Sequence, residues 1–241
     1  MATPRYGFVS FGHSENVDEP FTRTANGQIL FPAKDVPLAL RGMNFTSTHK
    51  ADTFLALRKA LVEYRFRPNA AKIIIAFTCH ACDVIDETAP DSADLQRALI
   101  ESGATLHLVS KTDIRLRSSS SKRLDLLGID RSTAFTLRDA SRRDSVGQPE
   151  LRRQLRSPKD RCASLAQKSR GSYFMTPRRP EVRAWRTVLA KRVAQDVSLE
   201  TRCMRCECAP VENWSTVTVC RPCRPYRDTG LVLDDDYEDI D

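Results

Sequence analysis

The sequence predicts an α/β fold: a parallel sheet with flanking helices, followed by a small disulfide-rich tail. Three observations carry this. The stretch Ala71–Cys82 contains the unbroken apolar run Ile73-Ile-Ile-Ala-Phe77. It is too short for a membrane span and rich in β-branched residues, as in a strand buried on both faces. Helical patterns at Thr53–Tyr64 and Ser92–Ser102 alternate with that run and with a strand pattern at Thr105–Ser110, the rhythm of an α/β domain. The eight cysteines fall into two groups, one of them crowded between Cys203 and Cys223.

The elements follow in order. Tyr6–Phe11 reads as a strand, His13–Gly27 as a polar loop and Gln28–Phe31 as a short second strand. Asp35 is placed to cap a short helix with Pro37 in its first turn. Asp52 caps the next helix, whose Phe54, Leu57 and Leu61, flanked by Leu55 and Val62, make one apolar face. Arg67-Pro-Asn69 breaks the chain before the Ile73 strand. Asp91 or Ser92 opens the following helix, Leu95, Leu99 and Ile100 face inward, and Gly103 closes it. Residues 112–157 read as an irregular insertion: a serine spacer at Ser118–Ser121, an apolar patch at Leu124–Leu127, a short strand candidate at Ala134–Leu137, and a charged, mobile Arg138–Arg156. Order resumes with a helix from Pro158 to about Gln167, a stop at Gly171 and a strand at Ser172–Met175. From Pro180, Val182, Trp185, Leu189 and Val193 share one helix face, with Arg183, Arg186, Lys191 and Arg192 elsewhere on the helix, which suits a peripheral helix packing on a sheet; a basic membrane-surface helix is the alternative.

These elements divide the chain into residues 1–198 as the α/β domain, 199–226 as a Cys-rich module and 227–241 as an acidic disordered tail. At 241 residues the chain holds one good-sized domain and a small one. No apolar stretch reaches a membrane span. The net charge of +7 is modest and unevenly spread, so no nucleic-acid partner is expected. No export signal precedes the Tyr6 strand, so an extracellular chain would take its signal from upstream.

The cysteines bear on the compartment. Cys79, Cys82 and Cys162 form one group; Cys203, Cys206, Cys208, Cys220 and Cys223 form the other. The second reads C-x-x-C-x-C and then C-x-x-C, a spacing that serves either a tetrahedral zinc site or a disulfide knot. Disulfides are favoured by the even total, by Cys208 as a fifth thiol that four-ligand zinc leaves over, and by the sequon at Asn213 inside the cluster. Asn44 heads a second sequon, and both have meaning only in a secreted chain. Groups of three and five are both odd, so full pairing requires a bridge between tail and domain. Tyr237, among acidic residues, is a sulfation candidate under the same condition.

Catalysis is not expected. Cys79 and His80 are adjacent on extended backbone and point apart, so the histidine is poorly placed to activate the thiol. His13, His49 and His107 are scattered, and no phosphate-binding glycine loop is present.

The succession Tyr6–Phe11, Gln28–Phe31, Asp52–Tyr64, Lys72–Thr78 and Thr105–Ser110 resembles a von Willebrand factor A domain, a Rossmann-like fold, lacking its first strand and helix. Arg67–Thr78 resembles the approach to that family's fourth strand. Asn26–Phe31, Leu127–Arg138, Ala190–Ala194 and Cys203–Pro222 resemble the A-type region near the end of arthropod large lipid-transfer apolipoproteins of the apolipophorin type. The resemblance implies a non-enzymatic, secreted binding or structural region, a protein or lipoprotein partner and a role in lipid transport. It also implies where a magnesium site would lie, and the residues disagree: Ala51 stands for the family's threonine and Cys79 for its aspartate, and neither offers the oxygen a hard cation needs. The nearest match to the family's Asp-x-Ser-x-Ser string is Asp130-Arg-Ser-Thr-Ala134, far too late in the chain. No metal or other cofactor is therefore expected. The competing reading is an intracellular zinc-ribbon adaptor with a basic, nucleic-acid-binding surface.

Overall fold

The computed structural model describes residues 4–11, 20–41, 53–67, 70–78, 91–110, 126–130, 133–136, 148–156, 161–176, 187–195 and 197. Strands β1 (Phe8–Ser10) and β2 (Phe21–Arg23) are followed by α1 (Val36–Leu40), α2 (Thr53–Glu63), β3 (Lys72–Phe77), α3 (Ser92–Ser102) and β4 (Ala104–Ser110). Then come β5 (Leu126–Ile129), β6 (Ala134–Thr136), α4 (Pro149–Gln154), α5 (Arg161–Lys168) and β7 (Tyr173–Met175). A last helix, α6, covers 187–195. The chain is a mixed α/β protein. Its main sheet has five strands in the order β3-β4-β7-β5-β6. β3, β4 and β7 run parallel, and the β5–β6 hairpin is antiparallel on the far side of β7.

Local chemistry sets the helix ends. The Asp91 side chain accepts a hydrogen bond from Asp94 N–H at 2.7 Å and so satisfies an otherwise orphaned donor of α3. Gly103 ends that helix in the left-handed region at φ 64°, its N–H donating to Ile100 O. Asp35 does stand at the N-cap of α1 with Pro37 in the first turn, but its side chain makes no capping bond.

Two layers of helices sandwich the sheet. On one face Phe54, Leu57, Leu95, Leu99, Cys162, Leu165 and Ala166 pack on Leu106, Leu108, Ala76 and Tyr173. On the other, Leu189 with Val188 and Val193 of α6 packs on Val109, Leu127, Phe135 and Phe174. β4 contributes to both, as do β5, β6 and β7, and from Leu106 to Ser110 every residue of β4 is buried. The turn from α5 to β7 is stitched to it. Ser169 Oγ accepts from Leu106 N–H and donates to Ala166 O. Gly171 lies so close that a Cβ would meet Leu106 O at 1.8 Å.

Several elements differ from their sequence reading. The Tyr6–Phe11 strand is shorter and leaves the main sheet, forming an antiparallel ribbon with β2, a strand inside the supposed polar loop. Gln28–Phe31 is not a strand. Asn26 and Gly27 take positive φ and turn the chain, so that Ala25 pairs with Gln28 while Tyr6 pairs with Phe31. The insertion at 112–157 contributes β5, β6 and α4, because Leu127, Ile129 and Phe135 are apolar enough to extend the sheet beyond β7. Ile100 is 59% exposed, one step round the helix from the Leu95–Leu99 stripe. Arg192, set off the apolar face of its helix by the sequence, is buried, its guanidinium 3.8 Å from the centroid of the Phe135 ring. A planar cation on an aromatic face loses less by desolvation than one left alone. The largest difference concerns β3. It is an edge strand with one face open, although its apolar run reads as buried on both.

The ribbon is tied to α2. The Tyr64 ring packs on Gly7, and Thr22 Oγ1 donates to Glu63 Oε2. The hydrogen bond from Lys59, and then that from Thr22, hold the Glu63 carboxyl below its usual range. Burial, with a smaller contribution from Glu63, pushes the Tyr64 phenol up to about 12.

Two predictions follow from this packing. Gly171→Ala is expected to cost at least the upper end of the roughly 1–3 kcal/mol typical of overpacking, because backbone blocks the methyl. Gly103→Ala meets open space and is expected to lose only about 1–2 kcal/mol from its left-handed φ, so urea midpoints should separate the two. For Tyr64, an unfolded phenol ionises near about 10. Its contribution to stability is therefore complete below that pH and is lost as the pH rises through about 12. Tyr64→Phe, which removes a buried hydroxyl that makes no hydrogen bond, should flatten the fall in urea midpoint across that alkaline window.

Candidate functional site at the strand ends

Parallel strands deliver their carboxyl ends to one edge of the sheet, where α/β proteins build sites. Here β3, β4 and β7 end side by side in Thr78, Ser110 and Thr176. Thr78 N–H donates to Val109 O at 2.9 Å, while Thr176 sends both its N–H and its Oγ1 to Ser110 O, at 2.8 and 3.3 Å. Thr78 is buried and its Oγ1 makes no hydrogen bond. The rim thus holds Thr78 and Ser110 level with Met175, and Thr176 one residue beyond, hydroxyl groups able to donate and accept.

The sequence-predicted site residues divide sharply. Cys162 is described: it is fully buried on α5, in the core between that helix and β4. Ala51, Cys79, Cys82, Cys203, Cys206, Cys208, Cys220, Cys223, Asn44, Asn213 and Tyr237 lie outside the described residues, as does His80. Among the described residues, no three His, Cys, Asp or Glu side chains gather where they could hold a metal ion. No described helix is long and apolar enough to cross a membrane.

His107 is buried in β4, and its Nδ1 accepts from Ser172 N–H at 3.2 Å. The imidazole thereby joins β4 to the start of β7, in keeping with its ordinary sequence reading.

The string Asp130-Arg-Ser-Thr-Ala134 links β5 to β6. Asp130 Oδ1 accepts from Thr133 N–H at 2.5 Å, Oδ2 accepts from Thr133 Oγ1 at 2.9 Å, and Asp130 N–H donates to Thr133 O at 3.0 Å. Arg152 Nε donates to Asp130 O at 3.2 Å and an Arg152 terminal nitrogen reaches Gln167 Oε1 at 3.5 Å, which joins the hairpin to α4 and α5. An aspartate folding its own turn in this way is familiar turn chemistry.

Sequence reasoning pointed to Cys79 and His80 and passed over Ser110 and Thr176. The signal for those two was positional: Ser110 ends β4, and Thr176 directly follows β7. Compared with protein-family models, with curated proteins and with solved structures, the chain matches none.

The Asp130 turn yields a test. Asp130→Ala removes two side-chain hydrogen bonds and is expected to lower stability by about 1–2 kcal/mol. Calorimetric titration with magnesium should give the same trace for wild type and variant.

Proposed function

We propose that this chain is the A-type α/β region and Cys-rich tail of a secreted, non-enzymatic binding protein. On the strength of the resemblance, its place is a large lipid-transfer apolipoprotein of the apolipophorin type. The observation that carries the reading is the place of Cys162, fully buried on the helix that packs against β4. A cysteine bridged there would suit a chain folded in an oxidising compartment, where disulfides persist. The run β3-α3-β4 with parallel pairing supports the A-type reading, since a parallel neighbour requires the crossover helix that family uses. Asn44 and Asn213 would carry glycans, and Tyr237 a sulfate.

Non-reducing peptide mapping of the chain secreted from cells is the test. The expected map has Cys162 in a bridge, all eight cysteines oxidised and at least one bridge between the groups Cys79–Cys162 and Cys203–Cys223. Free thiols with stoichiometric zinc in the tail would overturn the reading in favour of the intracellular adaptor.

A further inference from the structure

β3 is the edge of the main sheet that is least protected. Within the described residues it pairs on one side alone, with β4, in an unbroken parallel register from Lys72 to Phe77. Thr78 N–H points to β4. Backbone groups alternate in direction along a strand. The N–H and C=O groups of Ile73, Ile75 and Phe77 are therefore those directed to the open edge.

The side chains of these same three residues share one face of the sheet, and that face is uncovered: Ile75 is 39% and Phe77 66% exposed. Ile74 and Ala76, on the opposite face, join the core. Natural edge strands are usually guarded by a charge, a proline or a bulge. From Ile73 to Thr78 there is no charge and no proline, and the register shows no bulge. Lys72, the strand's charged residue, is turned away. Its Nζ donates to Ser102 O at 2.6 Å and lies 5.8 Å from the Phe66 ring centroid.

We propose that this edge receives a second copy of the chain, β3 against β3, antiparallel about a two-fold axis at Ile75. The occupant is argued from self-complementarity. Centred on Ile75, the pairing sets Ile73 opposite Phe77 of the other copy, Ile75 opposite Ile75, and Lys72 opposite Thr78. Every outward donor and acceptor of Ile73, Ile75 and Phe77 then meets its mate. Sliding the register by two residues leaves some of them unmatched, and sliding by one opposes outward groups to inward ones. The charges also permit it, because the two lysines fall at opposite ends of the paired strands and no like charges face each other. The exposed Ile75 and Phe77 become one continuous apolar stripe across the two-fold, as an isologous contact requires.

The test is the mass of the full chain by light scattering on a sizing column. The expected mass is twice the 27.2 kDa of one chain. Ile75→Lys, which brings like charges together at the axis, should return it to one chain mass while keeping a single cooperative melt, no longer dependent on protein concentration. Val62→Lys, at a site 73% exposed on α2, should leave the dimer intact. A monomeric wild type, or a dimer insensitive to Ile75→Lys, overturns the proposal. If Ile75→Lys fails to fold, a photoreactive Phe77→benzoylphenylalanine chain is mixed with an isotope-labelled copy. The expected cross-link joins position 77 of one copy to Ile73 of the other. Links only within one chain, or to a different protein, overturn the proposal instead.

Discussion

The structure depends on one contact: the approach of the α5–β7 turn to the backbone of Leu106. Ser169 caps the Leu106 N–H, and Gly171 presses on its carbonyl with no room for a side chain. That contact fixes where β7 starts, and so brings it into parallel register beside β4 at Leu108 and Tyr173. Everything beyond β7 inherits its position from there, since the β5–β6 hairpin pairs with β7 and α6 lies across Val109, Phe174 and Phe135. A strand buried on both faces, with both of its edges hydrogen-bonded, has nowhere to move. β4 is that strand.

Much of this was legible in the residues. The apolar stripe Phe54–Leu57 and the caps at Asp91 and Gly103 placed α2 and α3 within a residue or so, because local chemistry fixes a helix before any packing does. The strand runs around Ile74 and Leu106 were equally plain. Their rank in the sheet was not. Ile73–Phe77 has more β-branched character than Ala104–Ser110, yet the first is the edge and the second the centre. Periodicity cannot tell a strand covered on both faces from one whose second face is apolar and open. Arg192 shows the converse limit: a charge in sequence reads as solvent, and only the ring of Phe135, far away in the chain, makes it a buried residue.

The candidate site was legible in location and not in composition. Parallel strands end at Thr78, Ser110 and Thr176, as the α/β rhythm required. The Asp130 string illustrates why motif letters alone mislead: both carboxylate oxygens are engaged by Thr133, so the aspartate that echoes a cation site is spent on local hydrogen bonds between β5 and β6. The cysteines are informative in another way. Cys162 is buried on the helix nearest β4, so the bridge proposed for it would reach the most constrained part of the chain.

The central claim is that β4, and not the more apolar β3, is the spine of the sheet. Native-state hydrogen exchange resolved to single amides tests it most directly. The account predicts that the amides of Leu106, Leu108 and Ser110 exchange only with global unfolding, while those of the β1–β2 ribbon exchange through local opening at far lower cost. Greater protection in β3 than in β4, or exchange of the ribbon and β4 as one unit, would contradict it.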